Sequence, residues 1–105
     1  MITAISCSGN SMDSQVDTRF GRCPFFAIFD SESGKLRFEE NPGKEAESGA
    51  GPAAVKFIAS QGAQKIVSGE FGFKVKPLFD QLDIQMISIE GNKTVREIME
   101  LLKSN

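Results

Sequence analysis

The sequence has no histidine, no tryptophan and no tyrosine. Without histidine, the usual general base near neutral pH and the commonest metal ligand are both missing. Ser-His-Asp and Cys-His nucleophilic chemistry are therefore excluded. Cysteine is scarce, with Cys7 and Cys23 the whole supply. Two cysteines are too few for a disulfide framework, and a reducing compartment would keep both as thiols. No apolar run approaches the ~20 residues that a membrane span needs. Met1-Ile2-Thr3 enters a strand pattern directly rather than a signal peptide, so a cytoplasmic location is expected. Charge of one sign is also lacking: 12 basic residues against 14 acidic ones leave a net charge of −2. That balance gives no electrostatic footprint for nucleic acid or an anionic membrane.

What is present is ordinary, at 40% hydrophobic and 25% charged. A length of 105 residues suits one domain over 1–105 with a single core. Nine phenylalanines supply all the aromatic bulk.

Residues 2–8 read as a first strand, ended by the turn formers Gly9-Asn10-Ser11. From 9 to 22 no period is sustained, which predicts a long loop, and long loops in small domains are commonly functional or mobile. The run 25–29 is almost continuously apolar, as a central strand is. After a turn at 30–35, residues 36–41 alternate apolar and polar like an edge strand. A polar, glycine-rich loop follows to Gly51. Pro52 suits the first position of a helix, where its missing N–H would be unpaired anyway. Ala53, Ala54, Phe57 and Ile58 give that helix a face, and Gly62 can end it. A fourth strand spans 65–68, and a second helix carries Val75, Leu78, Phe79 and Leu82 on its inner stripe. A fifth strand spans 85–89. Thr94 with Glu97 matches a capping box ahead of a last helix with Val95, Ile98, Met99, Leu101 and Leu102 on its apolar face.

The order β-β-β-α-β-α-β-α implies an α/β fold with a mixed five-stranded sheet and three helices. Right-handed crossovers make strands one, four and five parallel, with strand two antiparallel to strand one. The expected spatial order is 3-2-1-4-5, the layout of the ribonuclease H-like motif. In it the loops at 9–22, 42–51, 69–72 and 90–93 emerge at one sheet edge. Strand order reverses between strands one and four, where open α/β sheets bind ligands. Three helix N-termini face the same edge with unpaired N–H groups. Arg19, Arg22 and Lys74 add full positive charge, so this edge is expected to receive an anion.

The most unusual chemistry lies in Asp17-Thr18-Arg19-Phe20-Gly21-Arg22-Cys23-Pro24. Two guanidinium groups flank a Phe-Gly pair, and a thiol is held before a proline, which biases it toward extended backbone. Cys23 is the candidate metal ligand or redox-sensitive thiol, because Arg19 and Arg22 nearby would favour its thiolate. Cys7, on a central strand, reads as buried packing. Gly49-Ala50-Gly51 serves either as a plain helix entry or as an anion cradle; it lacks the Lys-Ser/Thr of a P-loop. Gly69-Glu70-Phe71-Gly72 is either a tight turn or a binding loop. Asp13 and Asp17 could hold one Mg²⁺ weakly, but the first strand has no carboxylate to complete a two-metal nuclease site. A hydrolase is the least favoured class on that ground.

The run Arg19-Phe20-Gly21-Arg22 followed by Pro24-Phe25-Phe26 has companions in Asn41-Pro42, Gly49-Ala50-Gly51 and Gly69-x-x-Gly72-x-Lys74. On these residues the chain resembles the dinitrogenase iron–molybdenum cofactor biosynthesis family, the small domains of NifX and NifB C-terminal type. The resemblance covers almost the whole chain and implies a ribonuclease H-like fold. It implies a non-catalytic domain that binds or carries an iron–sulfur or iron–molybdenum cluster, or its precursor, transiently. The expected binding edge contains Arg19, Gly21, Arg22, Cys23, Gly49, Gly51, Gly72 and Lys74, with Cys23 as metal ligand since soft thiolates suit iron. The expected partners are the cluster and a protein that donates or accepts it, with no nucleic acid and no membrane. A second expectation is a regulatory or interaction module whose same loop edge binds a protein or a small anion without any cluster.

Overall fold

The structure is a computed structural model that describes residues 1–103; residues 104 and 105 of the expected 1–105 domain lie outside the described residues. Five strands form a single sheet: β1 (Ile2–Cys7), β2 (Phe25–Asp30), β3 (Leu36–Glu40), β4 (Lys65–Ser68) and β5 (Gln85–Ser88). Their spatial order is β3-β2-β1-β4-β5, as expected from the sequence. β1 pairs antiparallel with β2, setting Ala4 opposite Ile28 and Ile5 opposite Ala27, and parallel with β4, setting Ile5 opposite Val67. Three helices complete the fold: α1 (Ala50–Ser60), α2 (Lys76–Gln81) and α3 (Val95–Lys103).

Side chains alternate across a strand, so a strand buried on both faces must be apolar at successive positions. β2 meets that demand, and β1 meets it at Ala4, Ile5 and Cys7 while also burying Thr3 and Ser6. Ala4, Phe26, Ile28 and Ile66 pack under Ala54, Val55 and Ile58 of α1 and Phe79 of α2. Ile5, Ala27, Phe29 and Val67 pack under Val95, Ile98 and Met99 of α3. Helices α1 and α2 thus cover one face and α3 the other. Phe26, Phe29 and Phe79 are fully buried, and removing each ring from water contributes roughly 2–3 kcal/mol. Among the described residues, no helix is long and apolar enough to cross a membrane.

Three details differ from the sequence reading. Helix α1 starts at Ala50 rather than Pro52, because Gly49 takes the left-handed conformation (φ 76°) as N-cap and the first helical bond runs from Ala53 N–H to Gly49 O at 3.0 Å. Pro52 still costs nothing there, since the third N–H of a helix has no intrahelical acceptor. Leu82 is 49% exposed and Leu101 56% exposed, not on inner stripes. Helix α2 has only six residues and ends at Gln81, with Leu82 as its C-cap, while the inward positions of α3 are 95, 98, 99 and 102, a spacing that 101 falls outside.

The third difference concerns the loop after β1. Its segment 14–19 is a strap laid across the ends of β1 and β4. Ser8 N–H donates to Gln15 O at 3.0 Å, Asp17 N–H to Ser6 O at 2.8 Å, and Gly69 N–H to Asp17 O at 3.0 Å. Val16 N–H reaches Lys93 O at 2.8 Å, tying the strap to the approach of α3. A Cβ on Gly69 would sit 2.7 Å from Thr18 Cα, so glycine is what lets the two backbones meet. The strand-reversal crevice expected to take a ligand is filled by the chain itself.

The capping box is formed: Thr94 N–H donates to Glu97 Oε1 at 3.0 Å and Glu97 N–H to Thr94 Oγ1 at 3.1 Å. The Thr94 N–H holds the Glu97 carboxyl below its ordinary 4.5. The contribution of this carboxylate is therefore present above that value and is lost as pH falls through the lowered one. Thr94→Ala is expected to cost about 1 kcal/mol of stability in urea unfolding at neutral pH.

Candidate functional site

The Arg19-Phe20-Gly21-Arg22 stretch divides its labour by residue type. The Phe20 ring is buried against Phe26, Phe71 and Phe79, with centroids 5.8, 5.5 and 5.2 Å away. That anchor fixes the loop to the core. Gly21 then lets it run against the start of α1: a Cβ there would lie 3.0 Å from Gly51 N and 3.1 Å from Gly51 Cα. Gly51 in turn faces Val75, whose Cγ1 would be 3.0 Å from an added Cβ. The glycines at 21 and 51 bring three backbone segments together.

Where they meet is an open cavity of about 400 Å³. Gly21, Arg22, Gly49, Gly51, Gly72 and Lys74 line it, together with Phe20 and Val75. Six of the eight residues expected at the binding edge are therefore in one concavity. Helix α1 opens onto it without a side-chain cap and without an acidic residue in its first turn. The N–H groups of Ala50 and Gly51 have no intrahelical acceptor, and the helix end carries a partial positive charge with no carboxylate in its own first turn to offset it. A Cβ at Gly72 would meet nothing within 4 Å, so that glycine borders open space. Of the three helix ends expected to share the site, α3 does not: its first turn packs on the opposite face of the sheet.

The other two expected residues lie outside the lining. Arg19 is exposed and turned back on Asp17, its Nε 3.4 Å from Asp17 Oδ1. Cys23 is fully buried, its Sγ donating to Phe20 O at 3.3 Å. The arginines were expected to favour a thiolate there, and they do not. Burial pushes the Cys23 thiol up to about 12, outweighing the Ser6 hydroxyl and Asn41 amide beside it. Arg22 is committed elsewhere, donating from Nη1 to Lys44 O at 3.1 Å and to Ala46 O. Cys7 is buried too and pushed up to about 11 by the same desolvation. Asp13 pairs with Arg96 at 3.3 Å, so the two loop aspartates are each engaged by a different arginine. Among the described residues, no group of three or more His, Cys, Asp or Glu side chains is placed to hold a metal ion. The cavity can hold an anion by charge and backbone N–H groups, and it offers no thiolate.

Comparison with known proteins gives the family. Residues 1–105 match the family described as Dinitrogenase iron-molybdenum cofactor. The chain belongs to this family. Among solved structures of similar shape is the apo form of the orange protein from Desulfovibrio gigas, 27% identical with a TM-score of 0.89 over 98% of this chain and 87% of that one. Another is a candidate NifB protein from Thermotoga, of the DUF35 family, 26% identical with a TM-score of 0.84 over 99% of this chain and 88% of that one. An uncharacterized protein from Methanocaldococcus jannaschii is 29% identical over 77 residues. That stretch is 70% of this chain and spans 65% of the length of the relative. In this iron–molybdenum cofactor family member, the fold and the glycine-lined basic cavity occur together.

Asn41 is the residue that sequence reasoning passed over as a site element. It is 1% exposed. Its Nδ2 donates to Gly21 O and Cys23 O, both at 3.0 Å, and its Oδ1 accepts from Gly43 N–H at 3.1 Å. Its own N–H donates to Pro24 O at 3.0 Å. The signal available was an asparagine before proline after an edge strand, which reads as a turn; its longer-range bonds have no local signature. Asn41→Ala is expected to cost about 3 kcal/mol, because three buried backbone groups lose their partners at once. Urea unfolding at neutral pH would measure it. A second expectation concerns the thiol. Between the ordinary value of 9.0 and about 12, Cys23 is a thiolate when unfolded and a thiol when folded. Stability contributed by this group is complete below the lower value and falls as pH rises. Native protein at pH 8 should resist iodoacetamide at Cys23 and react only on unfolding, which mass spectrometry would show.

Proposed function

We propose that this domain is a non-catalytic carrier that takes a preassembled, anionic iron–sulfur or iron–molybdenum cluster, or its precursor, as transient cargo. The observation that carries the reading is the single cavity lined by Gly21, Arg22, Gly49, Gly51, Gly72 and Lys74 at the uncapped start of α1. Its volume of about 400 Å³ falls within the range common for small-molecule sites. Membership of the dinitrogenase iron–molybdenum cofactor family supports a cluster-related role. Its similarity in structure to an orange protein in apo form and to a candidate NifB protein supports the same class.

The chemistry of the lining decides how the cargo is held. Metal ions are ligated by thiolates, imidazoles and carboxylates, and none of these lines the cavity. Outer sulfide or oxide atoms of an intact cluster are instead anionic acceptors. They suit the Lys74 ammonium, the Arg22 N–H groups not already given to carbonyls, and the N–H groups of Ala50 and Gly51. Such a hold makes no covalent metal–protein bond, so release requires no ligand exchange. Cys23 then supports the loop from within the core and does not touch the cargo. A partner that donates or accepts the cluster belongs to the same proposal.

Anaerobic titration of the reduced protein with a soluble iron–sulfur–molybdenum cluster, followed by visible absorption, tests this. Saturation near one cluster per chain is expected, weakening with added salt. Lys74→Gln should lower affinity about tenfold, the loss of one charge-assisted contact, while Cys23→Ala leaves affinity unchanged. Arg22→Gln is the less clean variant, since it also frees the 44 and 46 carbonyls. Binding that is indifferent to Lys74 and salt but lost in Cys23→Ala would replace this reading with thiolate ligation. Absence of binding to any cluster would leave the alternative of an interaction module that uses the same edge for a protein or small anion.

A further inference from the structure

The turn at 41–46, which Arg22 and Asn41 hold to the cavity wall, also forms one side of a second concavity of about 540 Å³. It wraps the end of edge strand β3: the half-buried rings of Phe25 and Phe38 line it on the α3 side of the sheet, together with Glu40, and the half-buried ring of Phe57 lines it on the α1 side, together with Glu39. Its charged lining is acidic, with Glu39, Glu40 and Glu45 against the one ammonium of Lys44. Arg37 already pairs with Glu39 at 3.2 Å. Glu40 and Glu45 are exposed, and among the described residues their carboxylates have no ion-pair or hydrogen-bond partner. Aromatic faces flanked by carboxylates attract organic cations. The groove shows this with its own chain, for Lys44 Nζ lies 5.9 Å from the centroid of Phe25.

We propose that this groove docks a basic segment of a partner protein, seating an arginine or lysine side chain beside the Phe25 and Phe38 rings between Glu40 and Glu45. The identity of that partner rests on the carrier reading. A protein that accepts an anionic cluster must surround it with positive charge of its own. Two basic cavities brought mouth to mouth repel each other. An acidic groove beside the basic cavity reverses that repulsion at the rim and sets the angle of approach, which is how charge acts at transient interfaces. Asn41 lines the groove and bonds to the Gly21 carbonyl at the cavity, so the spacing between the two surfaces is fixed by the fold. The binding is a charge-driven rim contact, weak and quickly reversed, as a handover demands.

The test uses the full chain, free of cargo and labelled with nitrogen-15, titrated at low salt with a terminally blocked oligoarginine peptide. Saturable amide shifts are expected at Phe25, at 38–41 and 43–45 and at Phe57, with blocked oligoglutamate giving none at these positions. The double variant Glu40→Gln/Glu45→Gln changes two exposed side chains, and an otherwise unchanged spectrum shows that it folds. In it the peptide affinity should fall about tenfold, two screened ion pairs being lost. Shifts that appear at other acidic positions such as Glu70 and Glu90, shifts unaffected by the double variant, or no shifts at all would each overturn the docking site. No cluster enters this experiment, so its failure is separate from that of the carrier reading. Cluster binding by a chain that ignores the peptide keeps the carrier and removes the groove; peptide binding by a chain that takes no cluster keeps the groove and removes the acceptor as its occupant.

Discussion

The carboxamide of Asn41 is the interaction on which both surfaces depend. Its three bonds join the turn after Gly21 to the turn after β3, two segments about 20 residues apart in sequence, a loop closure that carries an entropic cost. One side of the joined pair lines the basic cavity and the other lines the acidic groove. Buried, fully satisfied amides specify geometry well because any displacement leaves polar groups unpaired in a low-dielectric setting. Arg22 repeats the linkage nearer the surface through Lys44 O and Ala46 O. The guanidinium keeps its charge while doing so, and with five N–H donors it can serve the wall and the cavity together.

Burial and charge compete at Cys23, and burial prevails. Two guanidinium groups one and four residues away in sequence would favour a thiolate if all three groups shared one solvent-filled space. They do not. Phe20 draws its end of the loop into the aromatic cluster, and the thiol follows into the same core. Arg19 and Arg22 are left on the surface. Coulomb attraction across intervening water and protein is worth about 1–4 kcal/mol even at 4 Å, while desolvating a thiolate costs more than that when no strong donor compensates. The result is a neutral thiol that packs.

The same distinction separates what could be read from the sequence from what could not. Strand order, strand directions and helix count follow from periodicity and from the handedness of crossovers, and these are local or topological rules. The Thr94/Glu97 cap was legible because both partners lie within one turn. Gly21, Gly49, Gly51, Gly72, Arg22 and Lys74 were legible as a set because topology places their loops at one edge. The strap at 14–19 was not, since its backbone bonds run to residues 6, 69 and 93 and no periodic pattern announces isolated bridges. With the crevice between β1 and β4 closed by that strap, the cavity lies beside it, between the Phe20–Arg22 turn and the first turn of α1. The direction of Cys23 was equally hidden, because a residue in an aperiodic loop has no face until the fold supplies one.

Net charge was misleading in a similar way. A chain at −2 carries no overall field that would steer an anion, yet its charges are sorted by the fold rather than mixed. Arg22, Lys74 and the open end of α1 face one cavity, while Glu40 and Glu45 stand at the other concavity across a short turn. Sorting of this kind acts only within about a Debye length, ~8 Å at physiological salt. It therefore does little to attract cargo from afar and much to hold and orient what has already arrived. On the proposed carrier reading, cargo would be taken in an encounter with a partner rather than captured from dilute solution, and the two oppositely charged surfaces on one braced turn would align that encounter.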